Sequence, residues 1–295
     1  MFSYFNKPER AAYLFILPAL SVVTVFLIVP LVFSLFLGFF AVDVFIQDFK
    51  FLGPDNFKRL LNDERFWNAM RNTLYYVSLE MPLQVIIALV VAVFVSESTF
   101  LQKSLRAFYF VPAVCSMTAV GIVWSLMLDP ILGTLPYYLT VLGLPRIQFL
   151  RDPVLAMPTI ITVTIWKNFG FSMVIFVAGL QSIPSIYYEA ATIDGYGKIG
   201  QFFRITIPLL LPTLGFVIIT TTIGCFQVFD QVYVMTQGGP LFKTETIVQF
   251  IYTRAFTRPY ELGYASAIAE VLFFLILLIS VVMFNFFMKR EAEYA

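Results

Sequence analysis

Glu189 to Pro208 reads EAATIDGYGKIGQFFRITIP, a compact polar segment set between two long apolar runs, Leu155 to Leu180 and Leu209 to Gln237. The runs on either side set the class of the protein. Hydrophobic residues make up 60% of the 295-residue chain and charged residues 13%, with 34 Phe, and the mean hydropathy is +0.86. A soluble domain cannot carry that much apolar surface, so the chain is an all-α integral membrane protein. The polar segment then has to lie outside the bilayer. Pro184 and Ser185 read as a helix start with Ser185 as cap, Glu189 follows where the helix dipole favours an acid, and Gly195 supplies a stop. A second short helix from Lys198 to Thr206 would end at Pro208, which opens the next apolar run. Ala190 and Ala191 leave the first helix open to close approach by another surface. From these residues alone, an amphipathic loop resting on lipid headgroups is an equal alternative.

Working outward, a bilayer core of about 30 Å needs roughly 20 apolar residues per helix. Six spans result: 13–40, 74–96, 107–128, 155–180, 209–237 and 264–288, together one membrane domain between an N-terminal stretch 1–12 and a C-terminal stretch 289–295. The first run is too long for a signal peptide and lacks a small-residue cleavage site, so it is expected to remain as a helix, kinked at Pro18 and Pro30. An even helix count puts both termini and the segment 185–208 on one side. Lys/Arg bias does not choose that side, because eight such residues lie with the termini and ten in the opposite loops. Arg10, Lys289 and Arg290, directly flanking the outer helices, favour a cytoplasmic placement.

The net charge of +1 gives no basic face for nucleic acid. With no histidine in the chain, the usual haem, di-iron and zinc ligand sets and the imidazole base of many hydrolases are missing. Cys115 and Cys225 sit in apolar runs without metal-ligand spacing and read as packing residues. There is no GxxxxGK[ST] loop, so ATP and Mg²⁺ chemistry is not expected in this chain.

Polar residues inside spans are costly and mark cavities or partners. Thr164, Lys167, Asn168 and Phe171 fall at i, i+3, i+4 and i+7, one face of the fourth helix. Thr220, Gly224, Gln227 and Gln231 form a stripe on the fifth, with Phe226 and Asp230 adjacent. Amides and acids that bind hydroxyls, beside an aromatic ring that takes a CH-rich face, are what a sugar requires. Each has a structural alternative: Lys167 and Asp230 neutralising one another or pairing with another subunit, Glu80 and Glu270 in solvated or interhelical roles, and Trp124 and Trp166 as packing or interface anchors.

The spacing Glu-Ala-Ala, three residues, Gly195, nine residues, Ile205-Thr206-Ile207-Pro208 resembles the EAA loop of permease subunits in binding-protein-dependent ABC importers, with Ile207 where Leu is usual. LGPDNFKRLL (Leu52 to Leu61), FWNAMRNTLYY (Phe66 to Tyr76), PLQ (Pro82 to Gln84) and FDQVYVMTQGGP (Phe229 to Pro240) extend the likeness to the sugar-permease branch, maltose and glycerol-phosphate type, first of two paired permeases. The resemblance implies the type I importer permease fold, six transmembrane helices with a cytoplasmic EAA coupling helix between the fourth and fifth. It implies that Glu189, Ala190, Ala191, Gly195, Ile205 and Pro208 couple to an ATPase. The implied partners are a homologous second permease, two cytoplasmic ATPase subunits that hold the ATP and Mg²⁺, an extracellular or periplasmic binding protein, a sugar and membrane lipid. The implied location is a bacterial or archaeal cytoplasmic membrane. Substrate positions implied by the family fall near Ser116, Thr164, Asn168, Phe171 and Gln227. The alternatives are the same machinery carrying glycerol phosphate or another non-sugar solute and, more remotely, a secondary transporter. An embedded enzyme would need paired acids or histidines near one interface, which this chain lacks.

Overall fold

The computed structural model describes residues 8–45, 49–97 and 99–294; residues 1–7, including Lys7 of the N-terminal stretch, and Ala295 lie outside the described residues. In chain order the elements are α1 (Pro8–Val23), α2 (Val29–Leu37), β1 (Phe40–Ala41), β2 (Lys50–Phe51), α3 (Asp55–Leu61), α4 (Glu64–Val95), α5 (Phe100–Val114), α6 (Met117–Met127), α7 (Thr134–Val141) and α8 (Ala156–Gln181). They continue with α9 (Ser185–Ile193), α10 (Lys198–Gln201), α11 (Ile207–Leu209), α12 (Leu211–Phe226), α13 (Asp230–Met235), α14 (Ile247–Phe256) and α15 (Leu262–Tyr294). Among the described residues, four stretches are long and apolar enough to cross a membrane: Phe15–Leu37, α4, α8 and Leu262–Arg290. Two bent pairs, α5 with α6 and Lys198–Leu209 with α12, bring the count to six if each is one span.

Proline shapes several of these helices. A π-helical turn, Thr24–Ile28, joins α1 to α2, and a second, Phe202–Thr206, joins α10 to α11. Each stands immediately ahead of a proline, Pro30 and Pro208. A proline has no N–H to return to the carbonyl four residues back and its ring crowds that carbonyl, so the preceding turn widens. The N–H groups of Val29 and Ile207 accordingly donate five residues back, to Thr24 and Phe202. The distortion expected at Pro30 is this widened turn.

The span expected over 107–128 is broken. Pro112 sits in the last turn of α5, Cys115 and Ser116 are extended, and α6 leaves at 92°. The span expected over 209–237 is interrupted too: α12 stops at Phe226 and α13 begins at Asp230. It also opens later than Pro208, at Leu211, where Pro212 occupies the first turn, after a 69° bend. The second span begins well before residue 74, at Glu64, an acid suited to the helix N-terminus.

The chain divides into two compact units, residues 1–63 with 251–273 and residues 64–250 with 274–295. In the first, Arg59 grips Glu261 through two hydrogen bonds of 2.6 and 2.9 Å. Arg254 reaches both Glu261 and Asp63, and Tyr264 donates to Asp63 at 2.8 Å. The hydrogen bond to Glu261 holds the Arg59 guanidinium above its ordinary pKa. Asn56 caps the carbonyls of Gly38 and Phe40, where the chain leaves α2 for the β1–β2 hairpin. Glu270 lies against Gly38, an interhelical placement that the absent Cβ makes possible.

In the second unit α4 packs against α8 and α12, and α5 against α8. Ala88 and Ala92 of α4 bring its backbone close to Met173, Phe176 and Val177 of α8 and to Leu210 and Val217. Gly170 lets α8 approach the backbone carbonyl of Tyr109 in α5, a position where any side chain would collide. Trp124 and Trp166 meet edge to face with centroids 5.5 Å apart, a packing arrangement. Outward faces of these helices carry exposed Leu, Val, Ile and Phe, as lipid requires.

Candidate functional site

Three helices and two helix ends of the second unit enclose a cavity of about 290 Å³. From α8 come Thr164, Lys167, Asn168 and Phe171, together with Ser172 and Ile175. From α4 come Tyr76, Glu80 and Gln84, and from α12 Thr220, Thr221, Gly224 and Cys225. Gln231 of α13 and Ala113 of α5 complete it. Helical periodicity explains the grouping: 3.6 residues per turn puts i, i+3, i+4 and i+7 on one face, so one polar face of α8 turns inward while its other faces pack or meet lipid.

The wall is cross-linked. Lys167 Nζ donates to the Ala113 carbonyl at 3.2 Å. That carbonyl is free because the helix breaks at Cys115, so no residue four further on returns an N–H to it. Gln231 Nε2 donates to the Tyr76 hydroxyl at 3.0 Å. The Cys225 thiol donates to Glu80 Oε2 at 2.6 Å, and Gln84 Nε2 donates to Ser172 Oγ at 3.1 Å. Phe171 leaves much of its ring exposed at the cavity. Hydroxyls, three amides, an ammonium, a carboxyl group and the ring of Phe171 converge on one space, which suits a small polar ligand with an apolar face.

The polar segment forms a second site. α9 runs from Ser185, with Pro184 as the capping residue and no side-chain capping bond, so the cap expected at Ser185 falls one residue earlier. At its C-terminus Gly195 has φ +81°. Its N–H bonds Thr192 O at 3.1 Å and that of Tyr196 bonds Ala191 O at 2.9 Å, the paired closure that needs a left-handed residue between them. The following helical run is clamped back onto α9. Gln201 Nε2 reaches Thr192 Oγ1 at 2.9 Å and Tyr196 O at 3.2 Å, Tyr188 and Thr206 join their hydroxyls at 3.0 Å, and Arg204 bonds and covers Tyr196. Ala191 is buried, Ile205 and Pro208 are half-buried, and Glu189, Ala190 and Gly195 are exposed. Ile193 and Ile199 are 87% and 77% exposed. Two aliphatic side chains so open, on a polar rigid turn, leave apolar surface of the kind found at protein or membrane contacts.

Residues 64–291 match the family model for the binding-protein-dependent transport system inner membrane component. The chain belongs to this permease family. The lactose transport system permease protein LacF of Rhizobium radiobacter is 34% identical over 95% of this chain and 94% of its own. The trehalose/maltose transport system permease protein MalF of Thermococcus litoralis is 33% identical over 94% and 93%. In fold, the permease superposes on a chain of the bacterial alginate ABC transporter in complex with its alginate pentasaccharide-bound periplasmic protein, with a TM-score of 0.81 at 24% identity and coverage of 94% and 93%.

Of the residues that sequence singled out in the permease as cargo contacts, Thr164, Lys167, Asn168 and Phe171 lie together in the cavity wall, with Gln231 of the fifth-helix stripe. Ser116, Phe226, Gln227 and Asp230 do not line it. Ser116 is exposed at the break between α5 and α6, and Phe226 is buried in packing at 2% exposure. Gln227 caps α12 and Asp230 starts α13, both exposed. Gln227 and Asp230 share a reason: the helix ends at Phe226, so the periodicity that carries Thr220 to Gln227 is lost there, whereas Phe226 is still helical and its face is turned into packing. Among the described residues no ion pair joins Lys167 to Asp230. Sequence reading passed over Tyr76, Gln84, Ser172, Thr221 and Cys225 as cavity residues. Tyr76, Glu80 and Gln84 were visible as a four-residue repeat in an apolar run.

Proposed function

We propose that this permease is one half of the translocation pathway of an ATP-driven importer whose cargo is a sugar or oligosaccharide. The observation that carries the reading is the cavity between α4, α8 and α12, where hydrogen-bonding side chains surround the exposed ring of Phe171. Polyhydroxylated rings bind by this combination of paired hydrogen bonds and stacking. The names of the lactose and trehalose/maltose relatives support the same cargo class. The binding site comprises Thr164, Lys167, Asn168 and Phe171, and a homologous second permease contributes the remaining wall, on which Gln227 and Asp230, exposed at the helix break, would act.

Two ATPase subunits hold the ATP and Mg²⁺, and this chain binds no cofactor of its own and has no catalytic role. The loop from Ser185 to Pro208 is cytoplasmic, as are both termini. Glu189, Ala190, Ala191 and Gly195 meet the ATPase, and Ile205 and Pro208 carry its motion into α12. Closure of the ATPase dimer shifts a two-state equilibrium of the helices, and a loaded binding protein biases it from the opposite face.

The test is reconstitution of the permease with its partner permease, ATPase and binding protein in liposomes, followed by uptake of labelled lactose, trehalose or maltose. ATP-dependent accumulation that disappears without the ATPase is expected, and uptake that persists without it refutes the reading. A second cargo class, glycerol phosphate, is favoured by one observation, the ammonium of Lys167 in the cavity wall. The sn-glycerol-3-phosphate permease UgpA of Agrobacterium fabrum is a relative at 29% identity.

A further inference from the structure

α4 places Tyr76, Glu80 and Gln84 at i, i+4 and i+8 on one face, and all three line the cavity. Their exposures are 1%, 1% and 5%. Polar groups buried inside a span are costly unless partners satisfy them. Tyr76 has a partner, Gln231. The other two are not satisfied. Among the described residues, the Glu80 carboxyl has only the Cys225 thiol, a weak donor. Gln84 uses Nε2 on Ser172, while its Oε1 is buried with no hydrogen-bond partner among the described residues. What this wall leaves open is mainly oxygen acceptors, the Glu80 carboxyl and Gln84 Oε1, beside one remaining N–H of Gln84. The α8 wall offers donors, the ammonium of Lys167 and the amide of Asn168.

We propose that Glu80 and Gln84 form an acceptor wall of the cargo site, which takes hydrogen bonds from the hydroxyls of an uncharged polyhydroxylated ligand and selects against an anionic one. The inference rests on the proposed importer function and narrows its cargo. A hydroxyl is donor and acceptor at once, so a ring bearing neighbouring hydroxyls donates to Glu80 and Gln84 while accepting from Lys167 and Asn168. A phosphate presents only acceptors and leaves the acceptors of Glu80 and Gln84 unpaired, and its charge faces the Glu80 carboxyl. Specificity of this kind comes from buried groups that a wrong ligand leaves unpaired.

The experiment uses the complete importer with Glu80→Leu, Gln84→Leu, Gln84→Glu and Asn168→Ala, each checked for assembly by copurification of all subunits. The probes are lactose, trehalose and maltose, their monodeoxy analogues at concentrations that saturate the binding protein, and glycerol 3-phosphate. Wild type is expected to prefer a parent sugar to at least one deoxy analogue by about tenfold, the loss of one hydrogen bond at a buried site. Glu80→Leu or Gln84→Leu should flatten that preference at one hydroxyl, and Gln84→Glu, which keeps the acceptor, should retain it. Gln84→Glu also serves where Gln84→Leu fails to assemble: its loss of the preference overturns the acceptor role. If Asn168→Ala flattens a preference and neither α4 variant does, the acceptor wall is refuted and the sugar cavity stands. If wild type imports glycerol 3-phosphate and none of the disaccharides, both fall.

Discussion

Replacing Gly195 tests whether the turn between α9 and the following helix couples by its backbone conformation. At φ +81° an L-residue is strained by about 1–2 kcal/mol. A Cβ built on Gly195 has nothing within 4 Å, so within the chain the whole cost is conformational and none of it steric. Gly195→Ala should therefore depopulate the native turn by a factor of roughly 5 to 30. Gly195→Asn should cost less, because Asn tolerates the left-handed region. Gly195→Pro should be worst: its φ is fixed near −65° and it deletes the 3.1 Å bond from the Gly195 N–H to Thr192 O. The assay is the ratio of solute imported to ATP hydrolysed in reconstituted complexes. The expected order is Gly, Asn, Ala, Pro. A docking clash would give a different order, with the smaller Ala better tolerated than Asn. Ala equal to or better than Asn would refute the conformational argument, and wild-type coupling in all three would remove Gly195 from the joint.

Glu189→Lys should abolish uptake while the complex still copurifies, since Glu189 is exposed and its replacement should change stability by no more than about 0.5 kcal/mol; normal transport in this variant removes the acid from the coupling surface. Asn168→Ala should reduce uptake at all sugar concentrations without loss of assembly, and a wild-type uptake curve would show that the cavity is not the transport path. Arg65 holds the buried Glu245 through bonds of 2.8 and 2.7 Å. Glu245→Ala leaves a partly buried guanidinium without that carboxylate and should cost about 2 kcal/mol, less than for a fully buried pair because Arg65 keeps some contact with water. The thermal unfolding midpoint of the solubilised complex should fall by about 5 °C, and an unchanged midpoint would show that the pair contributes nothing net.

Much of the candidate site was legible because helices are periodic. Thr164, Lys167, Asn168 and Phe171 could be placed on one face from spacing alone, and the structure puts all four on the cavity. Gln227 and Asp230 were drawn in by extending the same spacing past Phe226, where the helix stops. Periodicity holds only while the helix does. The break at Cys115 and Ser116 had only Pro112 as a clue, since an apolar run of sufficient length looks the same whether straight or bent by 92°.

By itself the sequence determined that the chain lives in a membrane, because so apolar a chain has no soluble fold. It determined the position of the polar segment from Glu189 to Pro208, because Gly195 and the helix-start residues act locally. Tertiary structure alone decided which spans face one another. Only the packing of α4 on α8 and α12 shows that Tyr76, Glu80 and Gln84 share a space with Lys167 and Asn168. A hydrogen bond such as that from Cys225 to Glu80, between residues far apart in the chain, exists only once the small residues of α4 have let the helices close. Local rules fix what each segment is, and non-local packing fixes what it meets.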